Sequence, residues 1–230
     1  MIDGNSASHF MLEPTKMPRT FEAVAMWARI FSLLKWVSLF ELVRRAYPGA
    51  KSHGAVDLWV TCHLFLAATA IVASAYVLPT AGIYLIVAYA VLRVFEVTVY
   101  QINVLLFDEY RSVKEGRPYA LRGYRRLVVL LLSNYVEIVL WFGAIYLSLP
   151  GHFTFNLFAP EKTVLDGLYS SFIIMSTFGD PNVTPTTRSG MLIILYHSIV
   201  GLFMTAVMIA RFFGVLPRPK SSDEMEGKSD

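Results

Sequence analysis

Long apolar stretches divide this chain into segments suited to crossing a membrane. The stretches Leu58–Leu78 and Ser189–Ala210 contain no Asp, Glu, Lys or Arg. Each, as a helix rising about 1.5 Å per residue, is long enough for a hydrocarbon core of about 30 Å. The equally long segments Thr80–Phe107 and Leu127–Leu149 are apolar with a few charges inside them. The pattern predicts an all-α membrane protein with four transmembrane helices, the first two forming a peripheral hairpin over residues 54–107.

The segment before the first span has a different pattern. In residues 20–47 apolar residues recur at spacings of three and four, but charged residues such as Arg29, Lys35 and Glu41 interrupt them. This periodicity predicts an amphipathic helix lying along the bilayer surface. A fifth span is the alternative, although each charge held at the bilayer centre would cost about 2.5–3.5 kcal/mol.

The distribution of basic residues outside the spans sets the expected orientation. Residues 108–126 carry six arginines and lysines, whereas the much longer connection 150–188 carries two. Because cytoplasmic loops are enriched in Lys and Arg, we expect residues 108–126 and both chain ends in the cytoplasm of a cell, plasma or bacterial inner membrane. The polar ends, residues 1–19 and 217–230, are expected to be disordered.

Composition narrows the class of protein further. Hydrophobic residues make up 55% of the chain and charged residues 16%, which is too apolar for a soluble domain of 230 residues. The single cysteine, Cys62, excludes an intrachain disulfide or a cysteine cluster for a metal. We find no constellation of residues that suggests catalysis and no glycine-rich phosphate loop. The sequence therefore predicts neither an enzyme nor a nucleic-acid-binding protein, and no cofactor.

A short apolar segment between the last two spans, with the loop after it, is the part of the sequence that points to a function. Thr163–Met175 is compatible with a helix, yet its 13 residues are too few to cross the membrane. The following residues, 176–185, are rich in types that turn or break a helix. Non-helical backbone at membrane depth survives only where protein buries it or where it lines a water-filled cavity. We therefore predict a re-entrant pore helix followed by a loop whose carbonyl oxygens replace part of a cation's hydration shell.

The same residues resemble a known family. The run LYSSFIIMSTFGDPNVTP is similar to the pore loop of the two-transmembrane potassium-channel superfamily, whose filter is T-V-G-Y-G-D, and especially to the T-V-G-D-G-N filter of bacterial non-selective sodium and potassium channels. The residues that align with the filter are Thr177, Phe178, Gly179, Asp180, Pro181 and Asn182. The resemblance covers roughly residues 126–214. It implies a pore domain over residues 127–216 with an outer helix, a pore loop and an inner helix.

Departures from the family's filter change the expected selectivity. Pro181 stands where the family has its second glycine, and proline cannot adopt the left-handed geometry that glycine permits. The outer ion sites are therefore expected to be missing or reshaped, and Thr177 and Phe178 to keep the inner ones. Asp180, repeated around an axis, would form a ring of carboxylates that favours cations and could bind Ca²⁺. The alternative is that Asp180 stabilises a tight turn.

The last span offers a second set of candidate residues. Gly201 lies 24 residues after Thr177, which is the position of the hinge glycine in the family's inner helix. It could permit bending for gating or allow close helix packing. Gly201, Thr205, Met208 and Phe212 follow one another at helical spacing, so we expect this face to line the inner cavity, although packing is an equal alternative.

Charged residues inside the spans are expected to pair. Arg93 and Glu96 lie three residues apart on the second span, and Asn134 and Glu137 three apart on the third. Ionisable groups at membrane depth are costly and normally find partners in the helix bundle. We predict a link from Arg93 to Glu96 or Glu137 that fixes helix register. A network coupling the peripheral spans to the pore is the alternative.

Two hypotheses of function follow. One pore loop cannot surround an axis, so we predict a homotetrameric cation channel that discriminates weakly among monovalent cations. The alternative is a non-conducting, channel-like sensor or anchor for a cytosolic partner, for example in a bacterial stress or defence system. Membrane lipid is an expected partner in both cases.

Overall fold

The structure is mainly helical. It is a computed structural model that describes residues 22–34, 38–47, 53–76, 80–116, 123–156, 162–176, 178–179 and 182–215. In chain order the elements are α1 (Glu22–Leu34), α2 (Leu39–Ala46), α3 (His53–Tyr76), α4 (Thr80–Ile102), a π-helical turn (Asn103–Phe107, the π segment), α5 (Asp108–Lys114), α6 (Tyr124–Ser148), β1 (Phe153–Phe155), α7 (Val164–Met175), β2 (Val183–Pro185) and α8 (Arg188–Val215).

Four helices among the described residues are long and apolar enough to cross a membrane. Their candidate spans are Gly54–Tyr76, Gly82–Phe107, Arg125–Ser148 and Arg188–Phe213. They coincide with the four segments predicted from hydropathy, which confirms a polytopic α-helical membrane protein. A fifth candidate arises only if α1 and α2 are counted together as one bent span.

Helix α6 is the centre of the molecule. In an 18-residue window of its candidate span 56% of the residues are buried, against 28% in the corresponding windows of α3 and α8. From Trp141 to Ser148 every residue is buried, because α3 and α4 pack on one side and α7 and α8 on the other. The rings of Phe142 and His197 stack with centroids 3.7 Å apart, and the Tyr146 hydroxyl lies 2.8 Å from Nδ1 of His197. These contacts fix α8 to α6.

The N-terminal segment contains two helices where the sequence predicts one. Helix α1 packs on the π segment, with the rings of Phe31 and Phe107 stacked at 5.6 Å. Helix α2 begins after Ser38, whose side chain accepts a hydrogen bond from the Glu41 amide. With 13 and 8 residues, neither helix alone is long enough to cross a membrane. The expected disorder of residues 1–19 and 217–230 concerns parts of the chain outside the described residues.

The π segment ends the second span at its predicted last residue, Phe107, and α5 continues the helix beyond it. The sequence predicts a basic loop from residue 108, whereas residues 108–114 continue as helix α5. A π-helical turn arises from the insertion of a residue into an α-helix and is frequent at functional sites. Asn103 and Phe107, at its two ends, are both buried.

Candidate pore and filter

Helix α7 lies in the segment that the sequence predicts as a re-entrant helix. It begins after Thr163, whose main-chain amide and hydroxyl each donate a hydrogen bond to Oδ2 of Asp166 at 2.7 Å. This is the Asp version of a capping box, which satisfies polar groups left open at a helix start. The helix has 12 residues, or about 18 Å at 1.5 Å per residue, which is too short to cross a hydrocarbon core of about 30 Å.

Glycines seat α7 between α6 and α8. A β-carbon on Gly167 would lie 2.9 Å from the Gly143 carbonyl oxygen of α6, and one on Gly143 would lie 3.0 Å from that of Gly167. A β-carbon on Gly201 of α8 would lie 2.7 Å from the carbonyl oxygen of Met175, the last residue of α7. Because these glycines have no side chains, the backbones of α6, α7 and α8 approach one another closely, as backbones do at small residues in membrane bundles.

The predicted filter begins where α7 ends. The Phe178 amide donates to the Ile173 carbonyl at 3.2 Å, so the chain turns tightly out of the helix. Gly179 has a φ of 75°, in the left-handed region that glycine adopts at little cost. The Phe178 side chain is 85% exposed within one chain. The filter residues Thr177, Asp180 and Pro181 lie outside the described residues.

A two-stranded sheet holds the segment that leaves the filter. Strand β2 pairs antiparallel with β1, Thr184 opposite Thr154. The sheet continues on both sides, since the Asn156 amide donates to Asn182 at 2.8 Å and the Thr186 amide to His152 at 2.9 Å. The sequence prediction did not include this sheet. The sequence signal for this sheet is the alternation of apolar and polar residues in Phe-Thr-Phe and Val-Thr. The signal is weak because each strand has only three residues.

One basic residue packs beside this sheet. The Lys162 amine lies 4.6 Å from the centre of the Phe155 ring, and burial lowers the pKa of that amine. Lys162 directly precedes the cap of α7, so the start of the re-entrant helix is fixed to β1 by an apolar and cation–π contact.

The predicted cavity face of α8 mostly contacts its own chain. Gly201 is buried against α7, Thr205 interacts with the Tyr135 side chain of α6, and Met208 packs against the core. Phe212 is 57% exposed. Gly201 thus packs closely against the end of α7, and α8 is an unbroken α-helix through that position.

Comparison with known families identifies this region. Residues 134–217 match the family model described as Ion channel. This part of the chain is therefore similar to that ion-channel family. The matched range includes α7, the predicted filter and α8, and it confirms the resemblance to the two-transmembrane potassium-channel superfamily. No curated protein and no solved structure matches the chain.

Next to the ion-channel region, the three charged residues expected to pair lie in contact. Arg93 donates from Nε to Oε1 of Glu137 at 2.6 Å and from Nη2 to Oε2 at 3.1 Å. Its Nη1 donates to Oε2 of Glu96 at 2.7 Å. The remaining oxygen of Glu96 accepts from the Phe40 amide at 2.7 Å and from the Ser38 hydroxyl. All three charged side chains are at most 4% exposed.

This buried triad connects three parts of the molecule. Glu137 lies on α6 inside the ion-channel region, Arg93 and Glu96 lie on α4, and Glu96 reaches the start of α2. One guanidinium faces two carboxylates, and main-chain and side-chain donors compensate the second negative charge. Among them is Nε1 of Trp141, 3.2 Å from Glu137. Asn134, predicted beside Glu137, is also buried but its Oδ1 has no partner among the described residues.

Proposed function

We propose that the chain forms a homotetrameric cation channel in which four α7 helices and their filter turns surround one axis. The observation that carries this proposal is the short helix α7, seated by glycines between α6 and α8 and followed by an exposed turn at Phe178 and Gly179. Backbone at this depth requires protein or a water-filled pathway around it. The match of residues 134–217 to the ion-channel family supports the same function.

The surface of α7 supports assembly of several copies. Leu165, Tyr169 and Phe172, at spacings of four and three, are 72%, 49% and 53% exposed. They form an apolar stripe on the side of α7 that does not pack on α6 or α8. In a closed ring each copy can cover the stripe of its neighbour, and fourfold symmetry builds one pathway from four loops.

The filter residues determine which ions pass. Main-chain oxygens of Thr177 and Phe178, with the Thr177 hydroxyl, are suited to binding a partly dehydrated cation. Pro181 removes the glycine that the family needs for the outer sites, so sodium and potassium are separated weakly. Four copies of Asp180 concentrate cations at the outer mouth and offer oxygen ligands for Ca²⁺.

The inner helix then has two roles. Phe212, exposed at the end of α8, lines the inner pathway together with the neighbouring exposed residues. Gly201, Thr205 and Met208 hold α8 against α6 and α7, which fixes where the inner pathway lies relative to the filter. Both chain ends face the cytoplasm, because the basic residues of the connection 108–126 anchor that side.

Flux through purified protein tests the proposal. Protein reconstituted in liposomes is expected to pass Na⁺ and K⁺ at similar rates, and Asp180→Asn is expected to weaken block by Ca²⁺. Absence of cation flux together with copurification of a stoichiometric cytosolic protein would instead support the non-conducting anchor.

A further inference from the structure

The end of the inner helix is bonded to a helix outside the ion-channel region. Nη2 of Arg211 donates to the Val104 carbonyl oxygen at 3.2 Å. Arg211 lies in the last turn of the α8 span, and Val104 lies in the π segment after α4. This bond joins the part of α8 farthest from the filter to the peripheral hairpin.

The acceptor of this bond lies within the π segment. A π-helical turn replaces i→i+4 bonds by i→i+5 bonds, and this shift leaves a main-chain carbonyl available for another donor. Arg211 is half-buried, whereas the residues on either side of it in the chain, Ala210 and Phe212, are exposed. A basic residue that only anchors a helix end would extend toward lipid headgroups and water. Arg211 instead bonds a main-chain oxygen of another helix.

The same π segment holds the N-terminal helix α1. Asn103, completely buried, donates from Nδ2 to the Phe31 carbonyl of α1 at 3.1 Å and to the Val99 carbonyl at 2.9 Å. Its Oδ1 accepts a hydrogen bond from Arg111 of α5. These hydrogen bonds and the stacked rings of Phe31 and Phe107 hold α1 and α5 against the π segment.

We propose that the π segment couples α1 to the pore, and that Arg211 is the positioning residue that transmits the position of the π segment to the end of α8. This rests on the proposed function, since α8 is the inner helix only in the tetramer. Helix α4 then lies on the side of α8 away from the axis. The Arg211 bond draws the end of α8 outward and keeps the cytoplasmic end of the pathway wide, and movement of α1 or the π segment changes that width.

A distance measurement tests the link without relying on conduction. Spin labels at Val113→Cys on α5 and Ala210→Cys on α8, in a Cys62→Ala background, report the separation of the two helices by double electron–electron resonance. The labelled chain is diluted with unlabelled chains, so that each oligomer contributes distances within one chain. Arg211→Gln is expected to give a longer and broader distance distribution, and Arg211→Lys, which can still donate to a carbonyl, to retain much of the original one.

Flux of the unlabelled variants provides the functional readout. Loss of a charge-assisted bond in every chain is expected to lower Na⁺ and K⁺ flux about tenfold in Arg211→Gln. Asn103→Ala acts at the other side of the π segment and is expected to give the same displacement of α8. The double variant should show little change beyond the larger single effect, because both act in one chain of contacts. Arg125→Gln removes an exposed arginine on the same side and should change neither distance nor flux.

The outcomes separate this inference from the channel proposal. Unchanged distances in Arg211→Gln overturn the link, whatever the flux. Changed distances with reduced flux support it. Changed distances in a protein that passes no cation support the link between helices and overturn the channel proposal. Asn103 is fully buried and its variant can fail to fold, so Arg211→Gln, at a half-buried side chain, decides the test.

Discussion

Gly201 lies where α8 passes the end of α7, and its lack of a side chain is what allows the contact. A β-carbon there would lie 2.7 Å from the Met175 carbonyl oxygen and 3.0 Å from the Met175 α-carbon. Both neighbours are main-chain atoms, so they cannot move aside as the end of a flexible side chain can. The position therefore constrains α7 and the filter turn that follows it.

We predict that Gly201→Ala destabilises the protein. Overpacking of this kind costs about 1–3 kcal/mol, which lowers the midpoint of thermal unfolding in detergent. Gly54→Ala is the matched control, because a β-carbon there meets no atom within 4 Å and alanine favours a helix more than glycine. If the two variants unfold at the same temperature, the close contact at Gly201 does not exist.

The buried triad predicts an order of effects among its members. Arg93→Gln leaves two carboxylates without their shared guanidinium, and breaking a buried pair in this way costs about 3–5 kcal/mol. Glu96→Gln leaves Arg93 paired with Glu137, so it is expected to be milder. Thermal unfolding of both variants in the same detergent measures the order. Greater damage from Glu96→Gln would show that the second carboxylate, rather than the arginine, stabilises the cluster.

At the scale of elements, the cap of α7 determines where this short helix starts. Asp166→Ala removes the acceptor of two hydrogen bonds from Thr163 and is expected to destabilise the first turn by about 1 kcal/mol. Hydrogen exchange of the amides in residues 164–168 should speed up accordingly. Asp166→Glu, the residue that favours a capping box, should retain slow exchange. Equal exchange in Asp166→Ala and the parent would contradict a role for the cap.

Elements with a strong hydrophobic signal could be predicted from the sequence. The four spans and α7, predicted as Thr163–Met175 and observed as Val164–Met175, are long apolar runs bounded by polar or turn residues. The β1–β2 pair could not, because its strands have three residues each and depend on contacts across the whole outer connection. The π segment has no sequence signal either, since it differs from α-helix by one hydrogen-bond step.

The face that a helix presents is harder to predict than the helix itself. Gly201, Thr205 and Met208 share a face by spacing, but spacing alone does not say whether that face meets water or protein. The structure places it against α6 and α7. The pairing within the charged triad was easier to predict, because buried charges at membrane depth must find partners and the spans offered few candidate partners.

For the whole molecule, assembly is the property on which conduction depends. We predict that the purified protein in detergent has a protein mass of four times the 25.9 kDa of one chain, measured by light scattering with the detergent subtracted. Charged substitutions on the exposed stripe of α7, such as Phe172→Glu, should shift it toward smaller species because a neighbour covers that stripe. Val136→Glu, on the exposed side of α6, is the control for an added charge at a similar exposure. A mass that does not correspond to a multiple of four chains would rule out a shared fourfold axis.

Block of Na⁺ flux by Ca²⁺ measures whether the Asp180 carboxylates of four chains lie close together. A divalent cation binds tightly at the outer mouth only when several Asp180 side chains reach it together, since Ca²⁺ takes six to eight oxygen ligands. Asp180→Asn is therefore expected to weaken Ca²⁺ block of Na⁺ flux by about tenfold or more, while Asp180→Glu keeps much of it. Tetramers mixed from parent and Asp180→Asn chains should show intermediate affinities, because each mixture retains a different number of carboxylates. Block that is identical in all of these proteins would place Asp180 in a local turn and away from the ion pathway.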